Sequence, residues 1–148
     1  MSDATSAAGA TEPLVELSFP ARADRLKLAR ASVLAAARMC GFDEQAAQDI
    51  VLAVNEACQN VIVHAYKGRD DGRIELSILR ERDGVVFRVR DFAPPVDPAT
   101  IRPRDLDDVM PGGLGTHFIR EIMDAADFSP LAAGGNLLEM KKRTGDPT

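Results

Sequence analysis

Apolar and polar positions along the chain fall into segments of two distinct periods. The segment LVELSFPA, residues 14–21, begins with apolar–polar alternation and predicts a first strand, with Pro20 marking it as edge-capable. From 25 to 39, Leu26, Ala29, Val33, Leu34 and Ala37 recur at helical spacing. Asp24 stands where an N-cap is expected and Gly41 where the helix stops. A second helix starts at Asp43 and runs to His64 or Tyr66, before the turn residues Gly68, Asp70, Asp71 and Gly72. Alternation returns in RIELSILRE (73–81) and GVVFRVRD (84–91), which the short RDG link makes a hairpin. A stretch from 92 to 113, rich in Pro and Asp, has little periodicity. Loops of that length in compact domains are usually functional or mobile. Residues 115–124 read as a third helix, and ADFSPLA and NLLEMKKR as two strands joined through AGG.

The order β-α-α-β-β-loop-α-β-β links its strands mostly through hairpins. It predicts an α+β fold, a two-layer sandwich of helices on one face of a mixed, mostly antiparallel sheet. One domain is expected over 13–143, with a flexible Ser/Ala/Gly-rich tail at 1–12 and a short tail at 144–148. No strand–GxxxxGK[ST]–helix motif and no dinucleotide-binding pattern is found.

Composition narrows the class. The 148 residues suit one domain with a real core. The net charge of −5 argues against broad nucleic-acid binding. No apolar run approaches membrane-spanning length, and the first residues lack the basic and apolar blocks of a signal peptide, so a cytoplasmic location is expected. Cys40 and Cys58 lie in separate helical patterns and read as small buried thiols.

Within the second helix, NEACQNVIVHAY places Glu56, Asn60 and His64 four residues apart, near one face of an otherwise apolar segment. Buried polar groups need partners, so this stripe asks for one. Two further clusters stand outside the core pattern: Asp91, ending a strand before FAPP, and PGGLGTHF (111–118), glycines running into a helix. Backbone N–H groups at such a helix start suit a phosphate. Alone, each has a plain reading: a turn for the glycines, a cap for Asp91, a solvated helix face for Glu56. His64 reads either as lining a site or as satisfying the helix end, the latter favoured, and Tyr66 as packing at the helix exit.

In order, EACQNVIVHAY, DFAPP, GGLGTHFIREIMD and GGNLLEM resemble the N-box and glycine boxes of the GHKL superfamily of histidine-kinase-like ATP-binding (Bergerat) domains. The short chain, without a dimerisation segment carrying an acceptor histidine, is similar to the stand-alone anti-sigma-factor serine/threonine kinases; the resemblance spans about residues 14–143. It implies ATP and Mg²⁺ as cofactors. Asn60 then matches the Mg²⁺-holding amide, and Glu56 the acid that orients and deprotonates a substrate hydroxyl. Asp91 matches the acceptor for the adenine amino group. Gly113, Leu114, Gly115 and Thr116 match the phosphate-binding turn, and 92–112 the ATP lid. Asn136 stands where many relatives have Thr, and is expected to reach adenine through water.

The pattern departs from the family at Ala93, where D-x-G is usual; a methyl fits there only if φ is negative and the adenine leaves room. The lid arginines, Arg102 and Arg104, are not adjacent to the glycines. Arg22, Arg25, Lys27, Arg30 and Arg38 form a basic face on the first helix, and the resemblance implies partner docking at Arg30. The implied partners are a STAS-type anti-sigma-factor antagonist and a sigma factor, with no direct nucleic acid, no membrane, and a homodimer as relatives often form. The alternative is a nucleotide-binding anti-sigma or switch protein without significant kinase activity.

Overall fold

The computed structural model describes residues 11–69, 71–94 and 116–144. Its strands are β1 (Thr11–Pro20), β2 (Arg73–Glu81), β3 (Gly84–Asp91), β4 (Ala125–Pro130) and β5 (Asn136–Arg143). Its helices are α1 (Leu26–Met39), α2 (Glu44–Asn60) and α3 (His117–Ile122). The strands form one sheet in the order β1-β2-β3-β5-β4, and every described pair is antiparallel. The sheet is thus antiparallel throughout its described strands, and β1 lies at an edge, as Pro20 suggested.

Register explains the core. Leu17, Leu76, Val89, Leu138 and Phe128 lie on one rung across all five strands, and Val15, Ile78, Phe87, Met140 and Ala126 on the next but one. With a side-chain period of two, these rungs share a face. That face is buried at Leu76, Ile78, Phe87, Val89, Leu138 and Met140. The helices supply Leu26, Ala29 and Val33 from α1, Ile50, Ala53, Val54 and Ala57 from α2, and Ile119 from α3 to the same core. The helix α2 packs against both α1 and α3.

Helix ends follow local chemistry. Gly41 takes φ +94, letting Phe42 N–H reach Ala37 O at 3.2 Å and Gly41 N–H reach Arg38 O at 3.1 Å. These two bonds close α1 in a Schellman motif. The Asp43 carboxylate accepts from Ala46 N–H at 2.8 Å and starts α2. Asp24 does not cap α1: it lies inside a short 3₁₀ turn, Ala23–Arg25, and pairs with Arg25 at 2.8 Å.

Several boundaries differ from those expected, among them the end of β4, at Pro130 rather than 132. β1 begins at Thr11 rather than 14, because residues 11–13 continue the ladder past a bulge. α2 ends at Asn60, where a wider π turn, Val61–Ala65, takes over. α3 is confined to His117–Ile122, since Met123 turns extended and Asp124 N–H bonds Lys141 O at 2.9 Å. Cys58 is buried and its thiol is pushed up to about 12 by burial, whereas Cys40 is only half-buried.

Candidate functional site

The polar rung of the core face is its end. Phe19, Ile74, Asp91, Asn136 and Pro130 lie in register there, so the sheet places Asp91 and Asn136 side by side on the helix-covered face. Asp91 is 3% exposed. Its Oδ1 accepts from Ala93 N–H at 3.0 Å, a carboxylate closing its own turn two residues on. The Asn136 side-chain amide stands 3.3 Å from Oδ1 and 3.4 Å from Oδ2. Burial raises the Asp91 pKa above the ordinary carboxylate value, against the opposing pull of Ala93 N–H, Asn136 and Arg90. A carboxylate can accept about four hydrogen bonds. A further N–H donor would therefore find an acceptor here and ease the cost of burial.

Two small residues pack closely beside it. Ala93 is buried but keeps negative φ, since Lys67 is the one non-glycine with positive φ among the described residues. The backbone therefore does not demand glycine at 93. Gly135 has φ +81, and a Cβ there would run into the Asp91 carbonyl oxygen. Only glycine meets both demands.

A second cluster forms at the C-terminal end of α2. Glu56 and Asn60 are one turn apart, as expected, with Asn60 only 7% exposed. Glu56 Oε1 accepts from Ile119 N–H at 2.9 Å. The first N–H groups of a helix lack intrahelical acceptors, so a carboxylate from α2 satisfies the first turn of α3. Thr116, fully buried, occupies the residue just before α3. The π turn widens the helix after Asn60, and His64 within it is half-buried.

Gly113, Leu114, Gly115, Arg102 and Arg104 lie outside the described residues. Among the described residues no group of three His, Cys, Asp or Glu could hold a metal. The oxygen of a single buried amide, Asn60, fits a Mg²⁺ that takes its other ligands from phosphate and water. No described helix is long and apolar enough to cross a membrane.

The basic face of α1 is largely engaged internally. Arg22 and Arg25 both approach Asp24, and Arg38 holds Glu44 at 2.8 Å. Arg30 donates to Asn55 Oδ1 at 3.1 Å, beside a shallow depression lined by Ala29, Val33, Val51, Val54 and Cys58. That depression follows the α1–α2 seam, and neither Asp91 nor Asn136 lines it.

Sequence reasoning did not find three groups of this site: Ile119 N–H, Gly135 as the neighbour of the Asp91 backbone, and the hydroxyl of Tyr66, which accepts from Phe92 N–H at 2.7 Å. The GGN string was the available signal for Gly135. The others depend on which segments the fold brings together.

Comparison with known proteins identifies the family. Residues 19–142 match the histidine kinase-like ATPase domain. The chain belongs to that family. It is 33% identical over 118 residues to the serine-protein kinase RsbW of Listeria monocytogenes serotype 4a, covering 74% of this chain and 75% of the relative. The RsbW of Bacillus pumilus is 29% identical over 128 residues, covering 79% and 78%. Family and relatives together make the chain a serine/threonine protein kinase. Among solved structures, the RsbU and RsbW domains of Rv1364c from Mycobacterium tuberculosis share the fold at TM-score 0.60 and 19% identity. That match covers 92% of this chain, which spans about a third (34%) of the larger one.

Proposed function

We propose that this kinase transfers phosphate from ATP to a serine or threonine of a small STAS-type anti-sigma-factor antagonist, and so controls a cytoplasmic sigma factor by partner switching. The observation that carries the reading is Glu56 held one turn before a buried Asn60, its carboxylate fixed through Oε1 by Ile119 N–H.

The residues divide the work. Asp91 accepts from the adenine amino group, with Asn136 fixing the carboxylate and Ala93 beside it. Gly113, Leu114, Gly115 and Thr116 would serve the phosphates and Asn60 would hold Mg²⁺, which would supply charge neutralisation for the phosphoryl group of ATP. Glu56 positions the substrate hydroxyl and takes its proton as the oxygen bonds to the γ-phosphorus and the bond to the departing ADP breaks. Fixing Oε1 leaves the proton to Oε2, so the base needs no reorganisation. Arg30, on the exposed face of α1, meets an acidic partner segment. A homodimer remains part of the same proposal.

The negative φ of Ala93 lets the backbone carry a methyl there, which supports the kinase reading. The test is transfer of the γ-phosphate of labelled ATP to a STAS-type antagonist. Wild type should label it on Ser or Thr, and Glu56→Gln should bind it without labelling. An antagonist bound by wild type yet never labelled would sink the kinase reading in favour of a switch.

A further inference from the structure

The hydroxyl of Tyr66 sits where the sheet register would otherwise continue. β2 and β3 pair as Ile74↔Asp91 at their last rung, so the next opposing residues are Arg73 and Phe92. No ladder bond joins those two. Instead the Tyr66 hydroxyl donates to Arg73 O at 2.7 Å and accepts from Phe92 N–H at 2.7 Å. One oxygen is thus inserted between two strands at the residue after Asp91. It holds them apart where the chain must leave β3, and there Ala93 N–H turns back onto Asp91 Oδ1.

The local chain is built to deliver that oxygen. Tyr66 N–H bonds Val61 O at 3.0 Å, five residues back, so the π turn re-aims the side chain relative to a continued α-helix. Such turns are frequent at functional sites. Lys67 at φ 54 and Gly68 at φ 80 then reverse the chain. The ring is 3% exposed and lies so close to Gly72 that a Cβ there would stand 2.5 Å from it. Phe92 is pinned from the other side, with the Arg73 and Arg90 guanidinium groups 4.8 and 4.5 Å from its ring centre.

We infer that Tyr66 is a positioning residue for adenine recognition: by bridging Arg73 and Phe92 it sets the direction in which the Asp91 carboxylate and Ala93 face the base. The inference rests on the proposed nucleotide site. It ties the end of α2, which carries Asn60, to the strand end that carries Asp91. Tyr66→Phe keeps the ring packing and lets Phe92 N–H and Arg73 O close directly, turning the exit of β3.

The test is calorimetric binding of ATP and of inosine triphosphate, whose 6-oxo group offers Asp91 no amino donor. Wild type should prefer ATP. Tyr66→Phe should lose about tenfold in ATP affinity with inosine triphosphate unchanged, so that the preference collapses. Gly72→Ala, which displaces the ring, should move the ratio the same way. A general loss of stability would weaken both nucleotides alike and would contradict the inference. So would a Tyr66→Phe protein with the wild-type ratio. Wild type without any preference for ATP would instead overturn the adenine site itself.

Discussion

Glu56 on α2 and Ile119 on α3 are joined by a 2.9 Å hydrogen bond from the Ile119 backbone N–H to Oε1. The proposed base is therefore also the capping group of a neighbouring helix. Its two roles separate by substitution. Glu56→Gln keeps an acceptor oxygen and should unfold in urea close to wild type. Glu56→Ala leaves the N–H without its acceptor and should be about 1–3 kcal/mol less stable. Both should lack phosphate transfer. Equal stability of the two variants would show that the α2–α3 bond contributes nothing.

Asp91 is held for binding at a cost in stability. Its pKa is raised in the folded protein, first by burial. The folded state therefore holds its proton to higher pH than the unfolded chain does. Stability from this group falls as pH rises from the ordinary carboxylate value through the folded one, and stays lower above it. Asp91→Asn cannot ionise, so relative to wild type it should gain stability across that window and keep the gain at neutral pH. Urea midpoints from pH 3 to 7 check this. A difference that does not change with pH would contradict the burial argument.

Gly135 tests the close approach to the same residue. Gly135→Ala meets both the positive φ of 81° and the Asp91 carbonyl oxygen. It should lose more than about 2 kcal/mol in urea unfolding and weaken ATP binding as Asp91 is displaced. Gly134→Ala also has positive φ, at 107°, but meets nothing within 4 Å; it should cost less and spare ATP binding.

At the surface, the hydrogen bond from Arg38 draws the Glu44 pKa down to about 2, with Gln48 assisting. A lowered folded value stabilises above the unfolded pKa and loses that contribution as pH falls from about 4.5 toward 2. Both groups are solvated, so the effect should fade in high salt. NMR titration of Glu44 in wild type and Arg38→Ala checks this: the value should rise toward ordinary in the variant.

Much of the fold was legible because the pattern was dictated by one buried face. Ile74, Leu76 and Ile78, then Val85, Phe87 and Val89, alternate cleanly, and β2, β3 and β5 carry the boundaries expected of them. The start of β1 was not legible, because residues 11–13 are exposed and bear no periodicity. The π turn was hidden inside VIVHA, whose apolar run suits either turn width. The order of the motifs singled out Glu56, Asn60, Asp91 and Asn136. What it could not supply were relations between distant segments: the Asn136–Asp91 contact, the Ile119 N–H on Glu56, and the Tyr66 hydroxyl between Arg73 and Phe92. These follow from register and helix packing, which local sequence does not encode.

The central claim is a nucleotide site made by the Asp91 end of the sheet and the Asn60 end of α2. Its most direct test is calorimetric titration of ATP, with and without Mg²⁺, into wild type, Asp91→Asn and Asn60→Ala. Wild type should bind in a Mg²⁺-dependent way, Asp91→Asn should not bind, and Asn60→Ala should bind weakly with a smaller Mg²⁺ effect. Wild type that binds no ATP at millimolar concentration, or Asp91→Asn that binds as wild type does, would contradict it.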